Sequence, residues 1–144
     1  MLDMENVSVS IAGAPVLRGV TLHVPAGGRV ALIGRNGAGK TTSLRSFMGL
    51  LPLSGGSIRI AGEDAARLPA HHRARLGIGS APEERRLFGT FSVRENMLLP
   101  AEVLGFSAAE IRRRLDLVFG LLPELVELAP RRAGRARWWP WAVH

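Results

Sequence analysis

Cysteine is absent from this 144-residue chain, and lysine nearly so: Lys40 is the only one, against 18 arginines. Without thiols there is no disulfide framework and no thiolate metal site, a composition compatible with the cytosol. No apolar run approaches the ~20 residues of a membrane-spanning helix. The opening residues, Met1-Leu2-Asp3-Met4-Glu5-Asn6, are acidic and lack the basic-then-apolar layout of a secretory signal. What remains is a chain of one-domain length, able to bury a core.

The formal charge of +7 is concentrated at one end. Arg131, Arg132, Arg135 and Arg137 lie in the last fourteen residues, which contain no acid; setting those four aside leaves +3. That is ordinary for a soluble domain, so no nucleic-acid partner is expected.

The single lysine sits in Gly34-Arg35-Asn36-Gly37-Ala38-Gly39-Lys40-Thr41, which fills every fixed position of the phosphate-loop template G-x-x-x-x-G-K-[ST]. Ahead of it, Arg29-Val30-Ala31-Leu32-Ile33 reads as a short buried strand. Behind it, Thr41 to Leu50 has helical spacing. Glycines at 34, 37 and 39 let the backbone approach a ligand closely and turn through positive φ, so the loop's N–H groups can wrap a polyphosphate at a helix N-terminus. Lys40 adds a point charge toward the β- and γ-phosphates. Thr41 offers a hydroxyl to Mg2+, a hard cation usually held by one or two protein oxygens together with phosphates and water. The expected ligand set is therefore a nucleotide polyphosphate with Mg2+, contacted by residues 34–42, Thr42 included.

Elsewhere the pattern predicts a small antiparallel β layer on a nucleotide-binding core. Val7, Val9 and Ile11 alternate with polar residues, Leu17 to Val24 reads as a second strand, and Ser57 to Ala61 alternates again. A short helix is expected within Pro69–Leu76, and a strand over Leu76–Ala81 ending at Pro82. Ser92 with Glu95, and Ser107 with Glu110, are capping-box signatures opening two helices, the second with Ile111, Leu115, Val118 and Leu122 on one face. There is no internal repeat.

Taken in order, the loop at 34–42, the turn Ser54-Gly55-Gly56-Ser57-Ile58, and Pro82-Glu83 leading to Leu87-Phe88 and Val93-Arg94-Glu95-Asn96 resemble the ATP-binding subunits of ABC transporters over residues 1 to about 134. Within that family Pro82-Glu83-Glu84-Arg85-Arg86-Leu87-Phe88 is most similar to the ATPases of branched-chain amino-acid importers. The resemblance implies an α/β P-loop fold with an antiparallel β layer and the start of a helical subdomain. It places Glu83 in the Q-loop, which touches the metal or attacking water; a solvated loop acid is the other reading of that residue. It also implies pairing with a second ATPase subunit and with membrane permeases, indirect service to a substrate-binding protein, and a peripheral place on the cytoplasmic face of the membrane.

Three departures qualify the resemblance. Ile11 stands where the family usually carries an aromatic that stacks on adenine. Ser80 and Gly89 replace the aromatic and proline that commonly flank the Q-loop, which predicts a less rigid loop. Finally, Ala129 to Arg135 leads not into a Leu-Ser-Gly-Gly signature but into Ala136-Arg137-Trp138-Trp139-Pro140-Trp141-Ala142-Val143-His144, holding all three tryptophans. The expectation is a cassette portion over 1–134 with an aberrant tail over 135–144, from a truncated or shifted reading frame. Signature, Walker B carboxylates and switch histidine are then missing, and His71, His72 and His144 are no substitutes. Two other readings are a non-hydrolysing nucleotide-binding fragment and a P-loop small-molecule kinase; the Arg112–Arg114 run on an outer helix face speaks against the kinase.

Overall fold

The alternating N-terminal segments form a four-stranded antiparallel sheet of order β2-β1-β3-β4: β1 Leu2–Ile11, β2 Ala14–Val24, β3 Gly55–Ile60 and β4 Glu63–Asp64. The computed structural model describes residues 1–82 and 87–134. Strand β1 is central, pairing Met4 with Leu22 on one side and with Ile58 on the other. Inward residues do not follow a strict period of two, because Met4, Val7 and Val9 are all fully buried. A bulge around Asn6 (φ 49°) inserts one residue between Met4 and Val7 and returns Val7 to the core face. Ile11 lies beyond the covered part of the sheet, and 43% of it is exposed.

The sheet's inner face packs with Phe47 of helix α1 (Lys40–Phe47) and Ala65; Met4, Val7, Val9, Leu17, Ile58 and Ile60 complete the core. Burial of one such aliphatic side chain is worth about 1.5–3 kcal/mol, which is why this cluster anchors the unit. The expected helix within Pro69–Leu76 is α2, Ala70–Arg75.

Two expected strands do not form. Segment 29–33 has no ladder partner, and among the described residues none of its backbone groups makes a backbone hydrogen bond. Val30, Leu32 and Ile33 are 47%, 37% and 90% exposed. A strand buried on both faces needs neighbours at both edges and a layer on each side, and the four strands described here engage one another instead. The same holds for 76–81, where no strand is assigned; Leu76 and Ile78 still pack against the core.

Residues Met1–Ala81 make one compact unit, and a second begins at Pro82. The second is helical: α3 Val93–Val103, α4 Ala108–Leu121 and α5 Glu124–Leu128. Ser92 caps α3 as the sequence predicts, its hydroxyl accepting from Glu95 N while the Glu95 carboxylate accepts from Ser92 N. The bond from Ser92 N, and a second one from Ser92 Oγ (2.8 Å), hold the Glu95 carboxyl below its ordinary range. Ser107 caps α4, but only half the box forms: Glu110 turns its carboxylate to Arg113 and Arg114 instead. Of the predicted face of α4, Leu115 is buried, Ile111 and Val118 are half-buried, and Leu122 is exposed at the helix end. The 89–94 and 129–134 segments pair through Val93 N to Arg131 O (2.9 Å) and Ala133 N to Phe91 O (2.8 Å). No helix among the described residues is long and apolar enough to cross a membrane.

Candidate functional site

Helix α1 begins at Lys40 because Gly39, at φ 87° and ψ 4°, turns the chain into it as the N-cap. Gly37 also takes a positive φ, 82°, whereas Gly34 does not; of the three loop glycines, two are used for their backbone conformation. Gly39 has a second reason to lack a side chain: a Cβ there would lie 2.7 Å from Leu17 Cδ2. The start of β2 thus forms the floor under the loop's end.

The loop is open above that floor. Residues 34–38 and Thr41 are exposed, Lys40 and Thr42 are half-buried, and only Gly39 is covered. The cap carries no side-chain hydrogen bond, and the first turn holds no acid. Ser43 N is the first helix amide with a backbone acceptor, Gly39 O at 2.8 Å; those of Lys40, Thr41 and Thr42 find none among the described residues. Three unpaired amides, the positive end of the helix dipole and an open concave backbone suit an anion with several oxygens.

Lys40 folds back over this cradle. Its Nζ donates to Gly34 O (2.7 Å) and Arg35 O (2.8 Å), leaving the third ammonium hydrogen for a ligand. Behind the helix N-terminus, Ser43 Oγ donates to Gly39 O and Ser46 Oγ to Thr42 O, so these polar side chains are satisfied locally, facing away from the loop. The donor set fits a polyphosphate. Thr41 is an exposed hydroxyl at the first turn, which fits a magnesium ion held mainly by phosphates and water.

The structure therefore brings Gly34, Arg35, Asn36, Gly37, Ala38, Gly39, Lys40, Thr41 and Thr42 together as one surface. Glu83 lies outside the described residues. Phe88 and Gly89, after it in the chain, are held: Asn96 Oδ1 accepts from Phe88 N (2.8 Å), Asn96 Nδ2 donates to Phe88 O (3.0 Å), and Gly134 N donates to Gly89 O (3.1 Å). Gly89 thus sits in a tied segment, while the loop expected to be less rigid, residues 83–86, lies outside the described residues. Arg113 and Arg114 are exposed and paired with Glu110, in keeping with an outer helix face. A cavity of about 580 Å³ opens in the first unit between 49–56 and 66–69, past the opposite end of α1, and includes none of the candidate residues. Among the described residues no cluster of His, Asp or Glu is arranged to hold a metal.

Sequence reasoning missed Arg73. Next to His71 and His72, which face solvent, Arg73 is 2% exposed. Its spacing of three from Ala70 and from Leu76, both half-buried, was the available signal.

Comparison with known proteins gives the same picture. The family described as "ABC transporter" matches residues 17–136. The lipopolysaccharide export system ATP-binding protein LptB of Escherichia coli K12 is 38% identical over 111 residues, 77% of this chain and 46% of that protein. Nod factor export ATP-binding protein I of Paraburkholderia xenovorans is 36% identical over 128 residues, 89% of this chain and 39% of that protein. A solved ATP-binding subunit of an ABC transporter superposes with TM-score 0.78 at 32% identity, covering 90% of this chain and 53% of that one. A dimeric ATP-binding cassette in a post-hydrolysis state, bound to ADP and Pi, superposes with TM-score 0.77 at 20% identity, a likeness of fold. The chain spans about half the length of the curated relatives it matches.

Proposed function

Because the chain belongs to the ATP-binding subunits of ABC transporters, we propose that it binds Mg-ATP on the 34–42 loop and that, within a complete cassette, the bound nucleotide is hydrolysed to drive transport. One observation carries the reading: three unpaired amides and the Lys40 ammonium face an open loop at the start of α1. The backbone of Gly34 to Gly39 cradles the phosphates, Lys40 neutralises the β- and γ-phosphates, and Thr41 holds the metal, with Thr42 beside it. Arg35, Asn36 and Ala38 contribute backbone rather than side chains. Glu83 reaches the metal or the attacking water from the Q-loop.

Turnover needs more than the phosphate loop. Phosphoryl transfer rests on positioning and charge stabilisation, and the sequence contains the phosphate loop without a Leu-Ser-Gly-Gly segment. A second cassette and membrane permeases are the partners this implies, on the cytoplasmic side, with a substrate-binding protein acting through the permeases. For the cargo, Pro82 to Phe88 supports a branched-chain amino-acid importer. The named relatives serve export of lipopolysaccharide and Nod factor, which favours an exporter as the second reading.

Calorimetric titration with Mg-ATP, followed by phosphate release from the chain and from Lys40→Ala, tests the proposal. The expected result is saturable binding with release no faster than the mutant's. Robust release that disappears in the mutant would show that the completing carboxylate is already present; no binding at all would remove the loop from consideration.

A further inference from the structure

We infer that Arg73 is a positioning residue for the phosphate loop: from α2 it grips the C-terminal carbonyls of α1 and thereby sets how the other end of that helix meets a polyphosphate. The inference rests on the loop reading above and adds a residue that lies at the far end of α1 from the ligand.

The grip is specific. Arg73 Nη1 donates to Ser46 O (2.7 Å) and Phe47 O (2.8 Å), the last turn of α1, while Nε donates to Leu68 O (2.8 Å) and Nη2 to Ala66 O (3.2 Å). The helix terminates in a Schellman motif, with Gly49 N bonded to Ser46 O and Leu50 N to Arg45 O. Gly49 sits at φ 71°, and a Cβ there would lie 2.8 Å from Arg73 Nε. The terminator is therefore shaped around the guanidinium.

A neutral donor would join these backbone segments more cheaply, since burying a cation is costly and among the described residues no carboxylate contacts this one. Burial lowers the Arg73 pKa, and the field of Asp64 offsets only part of that. What the charge meets directly is the negative end of α1. A cation there complements the helix dipole, and it also adds positive potential along an eight-residue rod only about 12 Å long. The loop amides of Lys40, Thr41 and Thr42 stand at the other end of the same rod. Loss of the grip frees the rod to tilt and removes that potential together.

The test compares the full chain with Arg73→Met and Arg73→Lys, titrating AMP, ADP, Mg-ATP and inorganic triphosphate at a temperature where circular dichroism shows each variant folded. The expected result is an affinity loss in Arg73→Met of about tenfold for ATP and triphosphate, smaller for AMP, and largely recovered in Arg73→Lys. A folded Arg73→Met with unchanged ATP-to-AMP affinity ratio overturns the inference, because a merely structural role lowers melting temperature without grading by phosphate count. If Arg73→Met does not fold, the Arg73 Nε–H resonance of the unmutated chain decides: it should shift when Mg-triphosphate is added, and an unmoved signal overturns the inference. Lys40→Ala in parallel separates the two readings. Triphosphate binding that is sensitive to Lys40→Ala but not to Arg73→Met removes only the role of Arg73; binding insensitive to Lys40→Ala removes the loop reading and this inference with it.

Discussion

Leu17 Cδ2 stands 2.7 Å from the point a Cβ on Gly39 would occupy, so strand β2 and the start of α1 meet with no room between them. Gly37 differs in one respect: its φ is just as positive, but nothing lies within 4 Å of a would-be Cβ. The pair separates backbone strain from steric exclusion. Gly37→Ala should cost about 1 kcal/mol, the penalty of a left-handed alanine. Gly39→Ala should cost about 2–4 kcal/mol, because Leu17 must also move within a packed core. Urea unfolding of both variants measures the difference, and equal midpoints would show that Leu17 yields freely.

Lys40→Ala removes the only ammonium at the loop. A charge-assisted hydrogen bond is worth about 1.5–3 kcal/mol, so Mg-ATP affinity should fall roughly ten- to a hundredfold. Lys40 also bridges Gly34 O and Arg35 O, and Arg35 O accepts from Ala38 N, so amide exchange at Ala38 should quicken in the mutant without ligand. Equal ATP affinity would move the site elsewhere.

Ile11 is partly exposed at the end of β1, two residues beyond Val9, whose cross-strand partner is the same Leu17 that floors the loop. Ile11→Tyr should therefore present a ring to the base of a nucleotide bound at the loop. Stacking is worth about 1–3 kcal/mol. Adenine nucleotides should gain several-fold while inorganic triphosphate gains nothing; equal gains would place the ring away from the base.

Hydrogen bonds from Arg113 first, and Arg114 second, hold the Glu110 carboxyl down at about 2 instead of its ordinary 4.5. A depressed carboxyl stabilises the folded form fully above the unfolded value and loses that contribution as pH falls from about 4.5 toward 2. Arg113 and Arg114 are largely in water and Glu110 partly so, so the contribution is small and screened by salt. The Glu110 carboxyl carbon should titrate well below 4.5 in NMR and drift upward in high salt. An ordinary midpoint would mean the pairs do not persist in solution.

Much of this was legible in local chemistry. Ser92 and Glu95 announced the start of α3, Val7 and Val9 the core face of β1, and the spacing from Gly34 to Thr41 the loop, because each depends on residues close in sequence. Longer-range features escaped. The apolar stretch 29–33 has a strand's composition, but a strand is completed by neighbours, and among the described residues none engages it. Arg73 has the composition of solvent, yet its acceptors at Ser46 and Phe47 lie 27 and 26 residues away. The bulge at Asn6 likewise answers to two partner strands at once.

Uncovered Val30, Leu32 and Ile33 also set how concentrated the protein can be kept. A β-prone run with unclaimed backbone donors and acceptors templates the same run on another copy, and such contacts do not close on themselves. Arg29 and Arg35 flank the run as the charges that oppose stacking, so raising ionic strength should hasten precipitation, and Ile33→Lys should postpone it while leaving the sheet intact.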